Sequence, residues 1–258
     1  MTLSTGSSTL DQAGSVSIST GTSSGPGSIL SFLSGKSFDS IGGSTIMSAG
    51  DGANVGGSLL LSGGHDVSTD AEDDDIKTGG IVNIIGGTST IGNGGLVSIA
   101  GGASAQGVGG NVQLVSGNSN SQASGDIILA SSDGSKHEKR ASGDLYISSG
   151  LSYDESSPGG SISIESGTNM LGPGGSISIK SNDGLESDGG NVDISAGGTD
   201  GLASKGGSIT IAAGLGSNDG GFFNLSGGYA NGRALIDNGG SINVRGGDCK
   251  YLYSTFPD

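Results

Sequence analysis

Glycine pairs followed by alternating apolar residues recur through this chain, most clearly between positions 159 and 197. One row reads Gly159-Gly160-Ser161-Ile162-Ser163-Ile164-Glu165-Ser166-Gly167, and the next begins Gly174-Gly175-Ser176-Ile177-Ser178-Ile179-Lys180. A third reads Gly189-Gly190-Asn191-Val192-Asp193-Ile194-Ser195-Ala196-Gly197. The second glycines stand at 160, 175 and 190, so the unit is 15 residues long. With that glycine as position 0, rows start at 14, 27, 43, 57, 80, 95, 110, 125, 143, 160, 175, 190, 207, 221 and 240. Five of the fourteen spacings are 15, and the longer ones read as insertions. A fixed period of this length marks an array of like units, none able to bury an apolar face alone.

Positions +2 and +4 are apolar in most rows: Val16 and Ile18, Val97 and Ile99, Ile177 and Ile179, Ile242 and Val244. Their neighbours at +1, +3 and +5 are mostly small or polar. Alternation of β-branched and polar residues is the pattern of a half-buried strand. The flanking glycines suit corners with φ > 0, and a weaker apolar position near +11 (Leu10, Ile91, Leu171) suggests a second short strand. Equivalent residues then line up only if the strands stack in parallel. The expected fold is all-β, a parallel β-solenoid of about 15-residue coils with loop insertions on one edge. About 16 coils would make a rod roughly 75 Å long. The solenoid spans 1–247, and 248–258 forms a non-repeat cap or junction tail. Counting back from Gly14 puts Leu3 and Gly6 in register, which suggests a window of a longer array.

Composition narrows the alternatives. With 56 glycines in 258 residues, no Trp and ten Phe plus Tyr, large side chains are too few for a thick core. The regular phase of Ile, Val and Leu argues against a disordered Gly/Ser chain, and glycine is not at every third position as collagen requires. The formal charge of −15 argues against nucleic acid or an anionic membrane surface as partner. No apolar run approaches the ~20 residues of a membrane span, so membrane insertion is not expected. Cys249 is the only cysteine, so no internal disulfide framework exists.

Several features break the frame. The row at Gly27 carries the run Ile29-Leu30-Ser31-Phe32-Leu33, as a bulge would. Ile46, Leu60, Ile85, Val115 and Ile128 would face outward from the coil, covered by a loop or in lateral contact with another rod. Insertions follow the closing glycine at 65–77, 135–140 and 229–238. Asp70, Glu72, Asp73, Asp74 and Asp75 could offer carboxylates to calcium, although the spacing is not that of an EF-hand; a solvated loop is the plainer reading. Lys136, Lys139 and Arg140 belong to the only basic cluster. Four rows from the acidic loop, or roughly 19 Å along a solenoid axis, it would meet that loop only between neighbouring copies. No other cofactor is expected.

A search for chemistry returns little. The acidic residues do not fall in the nonapeptide steps of a calcium β-roll. His65 and His137 are isolated, without a paired cysteine or a G-x-S-x-G elbow, so no catalytic residue is assigned and an enzyme is not expected. An ice-binding face needs a regular threonine ladder, whereas the +3 column mixes Ser17, Leu60, Gln113, Tyr146, Asp193 and Thr210. Asn224-Leu225-Ser226 is the one N-x-[ST] sequon, a glycan acceptor in a eukaryotic secreted protein or a chance occurrence in a Ser/Asn-rich chain. Six of the ten aromatics fall between Phe222 and Phe256. Phe222, Tyr251, Tyr253 and Phe256 would cover an open coil end or dock on the next subunit, with Cys249 free for an intermolecular disulfide.

The rows Gly-Gly-Ser-Ile-Ser-Ile-x-Ser-Gly at 159–167 and 174–181 resemble the glycine/serine repeat arrays of algal and oomycete surface and fibre-forming proteins. Flagellar hairs (mastigonemes) and cell-wall layers are examples, and a bacterial adhesin shaft would look similar. The resemblance covers nearly the whole chain and carries no functional residues across. It implies an extracellular or cell-surface structural role. The expected function is a component of an extracellular filament or surface layer, a stiff rod that self-associates end-to-end or side-by-side. Partners would be further copies, with glycans or other surface proteins as additional candidates. The alternative is a ligand-binding solenoid that recognises ice or a polysaccharide.

Overall fold

The structure is a computed structural model describing residues 2–68, 77–135, 141–154, 156–184, 187–201, 204–230 and 238–247. It has two units, Met1–Ala130 and Ser131–Asp258. Among the described residues there is no helix and no β-strand. The expected parallel β-solenoid is therefore not what this chain forms, and neither strands nor stacked coils organise it.

Backbone hydrogen bonding gives the physical reason. Fourteen backbone–backbone bonds join described residues, and twelve of these close a loop between a glycine at position 0 and the end of the preceding row. A folded chain makes about one hydrogen bond per residue, most of them in helices and ladders. Here the +1 to +5 residues, which a solenoid would bond to the neighbouring coil, make no backbone–backbone bonds among the described residues. An axial ladder was the basis for expecting a stiff rod, and that basis is gone.

Most rows are thus an arm, positions 0 to +7, followed by a loop tied back at its base. In Met1–Ala130 the ties run from the N–H groups of Gly43, Gly57, Gly80, Gly95, Gly110 and Gly125 to the carbonyls of Gly35, Gly50, Gly64, Gly87, Gly102 and Gly117, at 2.7–2.9 Å. In Ser131–Asp258 they run from Gly160, Gly175, Gly190, Gly207, Gly221 and Gly240 to Gly150, Gly167, Asn182, Gly197, Gly214 and Gly228. The insertions at 65–77 and 229–238 fall inside two of these loops. The Gly64–Gly80 and Gly228–Gly240 ties enclose the longest, yet each keeps a bond of 2.8 Å.

The glycine at position 0 is required by close approach. A Cβ on Gly80, Gly95 or Gly110 would stand 2.8–2.9 Å from the backbone nitrogen of Gly64, Gly87 or Gly102. No described glycine has φ between +20° and +160°, so the left-handed corners expected from the sequence are absent among them. Where the residue before the tied glycine carries a side chain, as at Ser34, Ser149 and Ser166, its Cβ packs 3.0–3.3 Å from where a Cβ on the next zero glycine would lie. Ser149 also donates its hydroxyl to the carbonyl of Gly160 at 2.8 Å, and Thr5 does the same to Gly14.

No apolar side chain is buried among the described residues. The repeat still leaves a graded imprint. Position +2 is about half covered (Val97 43% exposed, Ile177 52%), +4 less so (Ile179 72%), and the loop residue Ile91 is 99% exposed. Ile46, Leu60, Ile85, Val115 and Ile128 are exposed, with no loop over them. The accessible surface is 26601 Å², against about 10,000 Å² for a folded monomer of this mass and about 36,000 Å² for an unfolded one. Two small apolar residues per row cannot offset the ordering of a glycine-rich backbone, which loses more freedom than any other.

Candidate functional site

The best-built local features are the loops. In eight rows position +9 carries a short polar side chain that accepts a hydrogen bond from a backbone N–H two or three residues on. Ser89 caps Gly92 at 2.8 Å and Ser104 caps Gly107 at 2.8 Å. Ser119 caps Gln122 at 2.9 Å, and Asn169 Oδ1 caps Leu171 and Gly172 at 2.9 and 3.0 Å. Ser23, Asp66, Ser152 and Thr199 stand at the same position and bond in the same way. Such side chains offer the backbone a local partner and favour turns over ladders.

Two rows are one residue shorter, those from Gly43 to Gly57 and from Gly207 to Gly221. In both, +9 is glycine, and a Cβ there would run into a backbone carbonyl, that of Val55 for Gly52 and of Asp219 for Gly216. Glycine at +9 is not confined to short rows: the 15-residue row from Gly175 carries Gly184 there, where a Cβ would run into the Asp188 carbonyl. The signal in the sequence is a short polar residue two or three positions before the loop's turn, outside the apolar columns of the repeat.

Two aspartates sit in tight networks. Asp66 Oδ1 accepts from the Ser68 N–H at 2.9 Å and its hydroxyl at 2.7 Å. Both bonds, the backbone one foremost, hold the carboxyl below its ordinary range. Asp154 accepts from the Ser157 hydroxyl at 2.6 Å, and from the N–H and hydroxyl of Ser156 at 3.0 and 2.8 Å. These bonds, with the Ser157 hydroxyl foremost, lower it to about 2. Each network is an exposed turn satisfied by its own serines. Lys36 Nζ lies 4.7 Å from the centroid of Phe38, an exposed cation–π contact within one loop.

Most residues singled out from the sequence lie outside the described residues: Asp70, Glu72, Asp73, Asp74, Asp75, Lys136, Lys139, Arg140, Cys249, Tyr251, Tyr253 and Phe256. Phe222 is described and is 88% exposed. Asn224 is also exposed, on the arm that starts at Gly221. His65 is exposed at the start of its loop. Among the described residues no group of three or more His, Cys, Asp or Glu side chains is placed to hold a metal ion. No helix among them is long and apolar enough to cross a membrane. What recurs among the described residues is the arm with its tied loop.

Searches against protein-family models, curated proteins and solved structures find no match.

Proposed function

We propose that this chain is a non-enzymatic structural component of an extracellular filament or surface layer and that it self-associates. The observation that carries the reading is a paired apolar position in row after row with no apolar residue buried among those described. A lone exposed apolar residue needs no explanation, but a periodic series of them on one chain supports a contact with something of matching period. A second copy supplies that period. The acidic Gly/Ser composition and the likeness of rows 159–167 and 174–181 to fibre-forming repeat arrays favour a surface location. Loops of varied length on tied bases give such a component places to vary without altering its arms.

Negative-stain electron microscopy of the purified chain, with sedimentation in parallel, tests the reading. Filaments or sheets with a regular repeat support it. Dispersed monomers that show thermal hysteresis or bind a polysaccharide would replace it with ligand binding.

A further inference from the structure

Charge is distributed unevenly between arms and loops. Of the 25 acidic residues, only Asp126, Asp144, Glu165 and Asp193 fall in arms, together with the bases Lys180 and Arg245. The other 21 acids and eight bases give the loops and tail a formal charge of −13. The arms are thus nearly neutral and carry the apolar pairs, while ties at 2.7–3.3 Å close twelve of the loops at their bases.

We propose that arms of two copies of this chain pack on one another through the +2 and +4 side chains, and that loop charge sets the ionic strength at which they do so. The proposal rests on the self-association reading and gives it an interface and a control. The accessible surface exceeds that of a folded monomer by roughly 16,000 Å², about ten times a standard protein–protein interface. Area is therefore not limiting, and neither is steric access, because the +2 side chains are about half exposed. Two copies each carrying −15 repel, and that repulsion reaches about 30 Å at 0.01 M salt but about 3 Å at 1 M. Contacts between apolar side chains are not weakened by screening. Added salt therefore removes the opposing force and leaves the attractive one.

The test is sedimentation velocity of the full chain across a sodium chloride series at neutral pH. Three proteins are compared: the parent chain; a loop variant with Asp39, Asp51, Asp133, Asp183, Asp200 and Asp219 each changed to Asn; and an arm variant carrying Ile162→Ser, Ile177→Ser and Ile209→Ser. The parent is expected to associate more as salt rises. The loop variant carries −9, so the product of charges falls to about a third, and half-association moves to lower salt. The arm variant is expected to associate less at every salt concentration; none of its three positions is buried, so the loss would not reflect an emptied core. Equal salt dependence in parent and loop variant would overturn the charge control, because salting-out alone would then explain the trend. Association that weakens with salt would also overturn it, in favour of acidic–basic pairing between copies. An arm variant that associates like the parent would overturn the interface. A parent that stays monomeric throughout would sink the self-association reading itself.

Discussion

Gly95 donates its backbone N–H to the carbonyl oxygen of Gly87 at 2.7 Å, and a Cβ on Gly95 would stand 2.9 Å from the Gly87 nitrogen. The same pair of glycines is thus bonded and nearly in contact, which no side chain at Gly95 allows. Gly87 differs, because a Cβ there meets nothing within 4 Å.

This asymmetry gives the first prediction. Gly95→Ala should break the tie, while Gly87→Ala should leave it intact. A net bond of ~1 kcal/mol corresponds to about a fivefold change in amide exchange. Exchange of the residue 95 amide, followed by NMR, should accelerate by about that factor in the first variant only. Equal exchange in both would show that close approach does not set the choice of glycine.

The cap at +9 yields the second. Ser104→Ala removes the acceptor for the Gly107 N–H at 2.8 Å and leaves the tie between Gly110 and Gly102 without a preformed turn. Loss of a side-chain cap of this kind costs about 0.5–2 kcal/mol in helices, and the low end suits an exposed loop. The Gly107 amide should exchange about twofold faster, and Ser104→Asn should restore it, since Asn169 makes the same bonds in its own row.

A third prediction concerns the loop between Gly50 and Gly57. Gly52→Ala places a methyl group against the Val55 carbonyl, so the shortened loop must open and the Gly57–Gly50 tie at 2.8 Å should be lost. Gly50→Ala meets nothing within 4 Å and serves as the control. Chemical shifts of the Gly57 amide should move in the first variant and stay in the second.

The legible part of this chain was its period. Twelve of the fifteen row starts between Gly14 and Gly240 carry a tie, and the insertions at 65–77 and 229–238 fall inside tied loops. The error came one level up. Alternation at Ile162 and Ile164 has the period of a strand, but period alone does not supply a bonding partner. A strand is stable only when its N–H and C=O groups find a ladder. A polar residue at +9 in eight rows and a glycine tie at twelve row starts bond the backbone locally, and the arms are left without a ladder. Glycine was credited with positive φ at positions where it serves close approach. The packing that Ile162 or Val192 would need is not specified by any residue in its own row, which is why the burial expected from the pattern did not follow.

The last prediction concerns Asp154, whose carboxyl is lowered from an ordinary 3.8 to about 2 by the Ser157 hydroxyl, then by the N–H and hydroxyl of Ser156. Ser157 also donates its backbone N–H to the Asp154 carbonyl at 3.2 Å, so the turn is closed twice. A depressed carboxylate favours the structured turn while it is charged. The stabilisation is therefore complete above about 4 and is lost as pH falls through about 2. A carbon-detected NMR titration should find Asp154 titrating near 2, with amide shifts of 156 and 157 moving over the same range. Ser157→Ala removes the largest contribution and should bring the midpoint back toward 3.8. Asp66, lowered by Ser68 alone, should titrate unchanged in that variant. A common shift of both aspartates would mean that net charge, rather than these serine hydroxyls, sets their titration.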